Sequence, residues 1–327
     1  MRVPLTGTRS SGKCKLSVTL TSAQILSGRP SSLTNAACEP EIAVACLSHS
    51  PQMAEDRDRR QGPAFRRGLA DLTGAVKRFN PTLVIFFGPD HMRALSAIAP
   101  CFTVVRSASG YGDWGTARAT YDIPAALTAA LAEHLVAEGL DIATAGQLAL
   151  DHGFGQSMGD IFGKLDAVPI IPLIINCVEA PLATAQRTAV LGEAVGSFVR
   201  GKVPGHERVL ILASGGISHA PPSLAPGVRN LSEEERYRLI QNSLAAAADA
   251  INPKWDREFL ALLAGENWRS VSEFTDSDLK PAGSGGAEVR TWIAALFAGG
   301  TSLSTVAYEP VPEWITGMGI ATGGLVL

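Results

Sequence analysis

The chain has 327 residues, 46% hydrophobic and 18% charged, and its 28 basic and 31 acidic side chains give a formal net charge of −3. At this length folding buries roughly 75% of the unfolded chain's surface, so a core forms without disulfide or metal staples. The near-neutral balance makes no electrostatic case for nucleic acid or an anionic membrane surface. The longest apolar stretch, Val168–Val178, is broken by Pro169 and Pro172 and is too short to span a bilayer.

Residues 1–39 are rich in Ser and Thr and carry Arg2, Arg9, Lys13, Lys15 and Arg29 before their first acid, Glu39. They lack the apolar segment of a secretory signal. An unstructured extension, or a start codon placed too early, is expected ahead of a transit peptide. Residues 40–327 are expected to form a single domain. Five cysteines without a CxxC pair fit small buried hydrophobes in a reduced, cytoplasmic chain.

Beyond Glu41, apolar runs alternate with helical patterns. Ile42–Leu47 reads as a buried strand. Phe65, Leu69, Leu72, Val76 and Phe79 then mark one face of a helix, which Asn80-Pro81 ends. Leu83–Phe87 and Cys101–Val105 read as strands, Leu127, Leu131 and Leu135 as a helix closed by Gly139. Val168–Ile175, a helix over about 182–199 and Val209–Ala213 continue the alternation. Apolar strands separated by amphipathic helices predict an α/β fold, its sheet mainly parallel with helices on both faces. After Pro222, helical patterns at 232–250, 255–264 and 286–298 predict a mostly helical C-terminal third.

The six histidines carry the functional signal. His49 follows the first strand, His91 the second, and His219 the Val209–Ala213 strand, while His152 stands in Asp151-His152-Gly153-Phe154. Carboxyl ends of parallel strands share one edge, where ligands bind in open sheets. A single loop histidine is most often a solvated or hydrogen-bonded side chain; three or four at one edge are harder to ascribe to chance. Gly215-Gly216 lets backbone approach a ligand closely. His134, in mid-helix, and His206, in a polar turn, read as structural or surface residues.

Glu288 falls on a helical stripe shared with Trp292 and Ala295, and a carboxylate there needs a partner. Capping of the first turn is the bland explanation; a metal is the functional one. Two imidazoles and a carboxylate form the ligand set of non-haem Fe(II) oxygenases, and zinc accepts the same set. No GxGxxG opens the helix after the first strand and no GxxxxGK(S/T) occurs, so nucleotide binding lacks a fingerprint. Gly216-Ile217-Ser218-His219-Ala220 approximates a nucleophile elbow, but no histidine follows His219 to complete a hydrolase triad.

Leu47-Ser48-His49-Ser50-Pro51, Gly88-Pro89-Asp90-His91, Asp151-His152-Gly153-Phe154 and Gly215-Gly216-Ile217-Ser218-His219 occur in an order that resembles the type III extradiol ring-cleavage dioxygenases, the superfamily of the protocatechuate 4,5-dioxygenase catalytic subunit. Asn252-Pro253-Lys254-Trp255-Asp256 and Pro312-Glu313-Trp314-Ile315 add to a likeness that runs from about residue 41 to 319. The resemblance implies Fe(II) held by His49, His91 and Glu288, with acid/base roles for His152 and His219 assisted by Asp151. It implies O2-dependent cleavage of a catechol, most like 2,3-dihydroxyphenylpropionate or 2,3-dihydroxycinnamate, in aromatic degradation by a homo-oligomer. His219 is assigned as base and His152 as acid. The segment Ser107–Tyr121 departs from the family pattern and bears on which catechol is preferred. A substrate carboxylate calls for a cation, and Arg93, Arg106, Arg118 and Arg187 are the candidates. A zinc hydrolase using the same residues and a non-catalytic ligand-binding relative are the rival readings.

Overall fold

Ten strands and nine α-helices are built from residues 39–56, 58–224, 228 and 231–327, which a computed structural model describes. The extension expected over residues 1–39 lies outside the described residues but for Glu39. The first strands are β1 (Glu41–Leu47), β2 (Leu83–Gly88), β3 (Phe102–Val105), β4 (Ala108–Gly110) and β5 (Ala143–Ala145). They are followed by β6 (Leu148–Leu150), β7 (Ile170–Ile175), β8 (Arg208–Ser214), β9 (Ser304–Val311) and β10 (Thr316–Gly323). The longer helices are α2 (Pro63–Phe79), α3 (Ala125–Ala137), α4 (His152–Phe162), α5 (Ala185–Lys202), α6 (Glu233–Ala248), α7 (Pro253–Ala264) and α9 (Val289–Gly299). Two short ones, α1 (Pro51–Glu55) and α8 (Asp276–Leu279), complete the set.

Eight strands form one sheet in the order β5-β3-β7-β2-β8-β1-β10-β9. Because side chains alternate across a strand, the central strands are apolar on both sides. Val44, Cys46, Ile85, Phe87, Ile211 and Ala213 join a core beneath α3, α5, α7 and α9. Ala43, Ala45, Val84, Phe86, Leu210 and Leu212 face the opposite way, onto α2 and α4. Helices therefore cover both faces, as expected.

Two expectations need correction. The sheet is mixed: β7, β2, β8 and β1 run parallel, but β3 pairs antiparallel with β7, and β10 pairs antiparallel with both β1 and β9. The last third is not mostly helical in the sense expected, since it supplies β9 and β10 and the helices are spread along the chain. Both strands lack the apolar run that marks a buried strand. The first alternates polar residues and carries Pro310 at the sheet edge, where a missing N–H is tolerated. The second contains Gly317, Gly319 and Gly323. A Cβ at Gly319 would run into Ile217, and one at Gly317 into the carboxylate of Asp256. Close packing excluded the side chains by which the strand would have been recognised.

The carboxyl ends of β1, β2 and β8 share one edge, and the start of the antiparallel β10 lies at the same edge, where Thr316 bridges to His219. That edge holds the histidines.

Candidate active site

The histidines are delivered by strand exits tied down by side chain–backbone hydrogen bonds, and Glu288 by the head of α9. His49 lies two residues past β1; Ser48 Oγ accepts from Gly319 N at 3.0 Å, and Ser50 Oγ donates to Trp314 O at 2.9 Å. His91 lies just past β2, in a turn wound around Asp90, whose carboxylate accepts from the backbone N–H groups of Arg93, Ala94 and Leu95. His152 opens α4, capped by Asp151 Oδ1 accepting from Gly153 N at 2.9 Å. His219 follows β8, and its neighbour Ser218 donates N–H and O–H to buried Asp256, at 3.0 and 2.7 Å, which also accepts from Tyr308. Glu288 ends a 3-10 turn at the head of α9. Trp292 Nε1 donates to Gly215 O and Thr291 Oγ1 to Ser214 O, which dock that helix on the exit of β8.

Three of the site histidines, His49, His91 and His219, gather around one carboxylate, and His152 packs on the first two. Glu288 is only 1% exposed. Its Oε1 lies 3.1 Å from His91 Nε2 and 3.3 Å from His219 Nε2, and its Oε2 lies 3.9 Å from His49 Nε2 and accepts from Gly216 N at 2.8 Å. The capping explanation for Glu288 therefore fails, since its side chain caps nothing. His91 and His152 stack at 4.3 Å between ring centroids, and His49 meets each ring edge-on at 5.3 and 5.4 Å. The far side of each ring is anchored: His49 Nδ1 to Ser214 Oγ at 2.8 Å, His91 Nδ1 to Asp151 Oδ2 at 3.1 Å, His152 Nδ1 to Asp113 Oδ2 at 2.7 Å and His219 Nδ1 to Ile217 O at 3.3 Å. Outer bonds of this kind orient imidazoles for a metal or a substrate. Gly215 and Gly216 make room for protein rather than ligand, because Cβ atoms there would press on Glu288 and His219.

Burial and charge set the protonation states. Burial pushes His49 down to about 3, against the pull of Glu288, so it is a neutral donor and its 3.9 Å approach to Glu288 is not an ion pair. His91 is also desolvated, but Asp151 and Glu288 outweigh burial and hold it well above the usual imidazole value. Burial would raise Glu288, yet the nearby His219 and His91 hold it well below the ordinary carboxylate range. One ring nitrogen from each of His49, His91 and His152 lies within 4.8 Å of the others. An ionised carboxylate against the first two, with every Nδ1 tied outward, makes a donor set that suits a divalent cation.

These groups line a cavity of about 280 Å³, on the scale of a small-molecule site. Its apolar wall includes Pro51, Trp114, Leu224, Tyr237, Ile240 and Ile315. Asp151 does not hydrogen-bond either acid/base candidate; it holds His91 and starts α4. The carboxylate on His152 is Asp113, which the sequence reading passed over within the divergent segment Ser107–Tyr121. Of the four candidate arginines only Arg93 lines the cavity, and Arg236, not anticipated, joins it. His134 Nε2 donates to Ala194 O and His206 is largely exposed, in keeping with structural and surface roles.

Residues 43–319 match the model of the family described as the catalytic LigB subunit of aromatic ring-opening dioxygenase, and the chain belongs to that family. It is an extradiol dioxygenase, an oxidoreductase whose family implies a catalytic metal. Among curated relatives, a Paraburkholderia xenovorans protein named 2,3-dihydroxyphenylpropionate/2,3-dihydroxicinnamic acid 1,2-dioxygenase is 35% identical over 308 residues, covering 85% of this chain and 96% of that one. A Klebsiella pneumoniae protein of the same name is 34% identical, covering 84% and 96%. A Pseudomonas putida protein named as the second such enzyme is 33% identical, covering 82% and 94%. Among the described residues no helix is long and apolar enough to cross a membrane.

Proposed function

We propose that this enzyme opens the ring of 2,3-dihydroxyphenylpropionate or 2,3-dihydroxycinnamate beside the diol, using O2 and ferrous iron held by His49, His91 and Glu288. The observation that carries the reading is the convergence of His49, His91 and His219 Nε2 atoms on one buried, ionised carboxylate at a single sheet edge. Bound Fe(II) supplies Lewis acidity toward the diol oxygens and an electron path between the ring and O2.

The protein's own part is proton handling and enclosure. His219 Nδ1 donates to the Ile217 carbonyl, which can only accept, and Nε2 faces the cavity and Glu288 Oε1, a carboxylate that a bound metal would take over. Nε2 is then the basic atom that takes a proton from the catechol. His152 is fixed by Asp113 through Nδ1–H, and its other nitrogen, once it has taken up the proton that the catechol releases, delivers that proton to the reacting oxygen. The apolar wall keeps bulk water from competing for these transfers. Free, buried thiols at Cys46 and Cys177 support a reducing, cytoplasmic setting.

The decisive experiment is oxygen uptake by anaerobically Fe(II)-loaded protein with 2,3-dihydroxyphenylpropionate, 2,3-dihydroxycinnamate, protocatechuate and catechol. Uptake of one O2 per ring cleaved, fastest with the first two, is expected. Zinc-loaded protein that turns over without O2 would replace the proposal by a hydrolase.

A further inference from the structure

Arg93 sits in the cavity wall with its side chain 13% exposed, two residues after His91 on the turn that Asp90 holds. Its Nη1 donates to Glu233 Oε1 at 2.6 Å, and the guanidinium lies 5.4 Å from the centroid of the Tyr111 ring. Its Nε is enclosed and has no hydrogen-bond partner among the described residues. The nearest carboxylate oxygen, Asp113 Oδ2, is 3.9 Å away and already holds His152 at 2.7 Å. Arg236 lines the same cavity, and burial together with the closeness of Arg93 lowers its pKa, a sign of two cations sharing one space.

The counter-charge of Arg93 is a poor match for it. Glu233 is 60% exposed at the head of α6 and is shared with the Tyr111 hydroxyl, which donates to it at 2.8 Å. An exposed ion pair of this kind contributes little and exchanges readily. A buried guanidinium donor left unpaired is costly, whereas a carboxylate meets the guanidinium fork through two parallel bonds. Arg93 therefore lacks a partner for its Nε, a place that an anion arriving from solvent beside the His/Glu cluster would fill. Arg106, Arg118 and Arg187 stand outside the cavity wall and are exposed.

We propose that Arg93 is the anion anchor of this site, binding the side-chain carboxylate of the catecholic acid and so selecting acidic over neutral catechols. The inference rests on the substrate reading above, but it concerns a carboxylate rather than the diol, so it can be tested without turnover. The full-length protein as purified is titrated with 3-phenylpropionate and with 3-phenyl-1-propanol, neither of which carries a diol, following calorimetry or the fluorescence of Trp114. Wild type is expected to bind the acid at least about tenfold more tightly than the alcohol. Arg93→Gln should cut the acid-to-alcohol preference by about 10- to 100-fold, as for loss of a charge-assisted hydrogen bond, and Arg93→Lys should restore part of it.

Equal affinity of wild type for the two ligands overturns the proposal. So does a loss in Arg93→Gln that is the same for both, which marks a merely structural residue. In parallel, kcat/KM of the Fe(II)-loaded wild type and Arg93→Gln is compared on 2,3-dihydroxyphenylpropionate and 3-propylcatechol, and the same collapse of the ratio is expected. If loaded wild type cleaves neither compound, the substrate reading fails while the titration still judges Arg93. If it cleaves both equally and the ratio does not respond to Arg93→Gln, the anchor fails and ring cleavage stands.

Discussion

Asp151→Asn separates the two tasks that a single buried carboxylate performs. Asp151 Oδ2 accepts from His91 N at 2.7 Å and from His91 Nδ1 at 3.1 Å, while Oδ1 accepts from Gly153 N at 2.9 Å. All three partners are donors, so an amide group must turn one NH2 against a buried N–H. That mismatch costs about 1–3 kcal/mol, although Asn caps a helix as well as Asp does. Losing the bond that aims the His91 ring should also weaken metal binding by about 10- to 100-fold. Burial opposes ionisation of Asp151, but His91 prevails and holds its carboxyl well below the usual range. A depressed folded pKa means that stabilisation is full above the unfolded value of about 3.9 and is lost as pH falls. The stability gap between wild type and variant should therefore be widest near neutrality and shrink in acid. Anaerobic Fe(II) titration against a competing chelator reads the first effect, and denaturant midpoints at pH 7 and pH 3 read the second. An Asp151→Asn protein with metal affinity within about twofold of wild type would refute the argument that this carboxylate positions a ligand.

Other expectations follow from the same geometry. His49→Ala or His91→Ala should abolish stoichiometric iron binding, whereas His219→Ala should retain iron and lose about 10²- to 10⁴-fold in kcat; metal analysis beside oxygen uptake decides between them. Asp113→Asn should lower kcat about 10- to 100-fold with iron content unchanged, because it releases His152 from its 2.7 Å bond without touching His49 or Glu288; equal turnover would show that the contact does not matter. Because Asp151 and Glu288 keep metal-free His91 protonated well above the usual imidazole pKa, iron must displace a proton from it. Affinity should thus rise with pH across the neutral range until His91 is neutral in the free protein. Calorimetry in buffers of different ionisation enthalpy should count about one proton released, and a pH-independent affinity would contradict this.

Much of the architecture was legible because burial leaves periodic traces. The strands β1, β2, β7 and β8 are mainly apolar because both faces are covered, and α2 buries one stripe through Phe65, Gly68, Leu72, Ala75 and Val76. The positions of His49, His91 and His219 were legible for a related reason: they directly follow such runs, and parallel strands bring their exits to one edge. The strands β9 and β10 left no comparable trace, since one is a polar edge and the other replaces side chains by glycine where neighbours press on the backbone. The mixed pairing followed from those two strands and from the antiparallel return of β3.

Residue identity and order along the chain determined which chemistry was available here: imidazoles at strand exits, one acid on an otherwise apolar stripe, and no hydrolase triad order. Tertiary packing alone decided which of them meet. His91 and Glu288 are 197 positions apart and come within 3.1 Å only because α9 docks on the exit of β8. The same packing put Asp113 behind His152, gave Asp151 to His91, and turned Arg93 rather than three other arginines into the cavity. Local periodicity records whether a side chain is buried; which distant partner shares that burial depends on how separate elements stack, and no short stretch of chain encodes that.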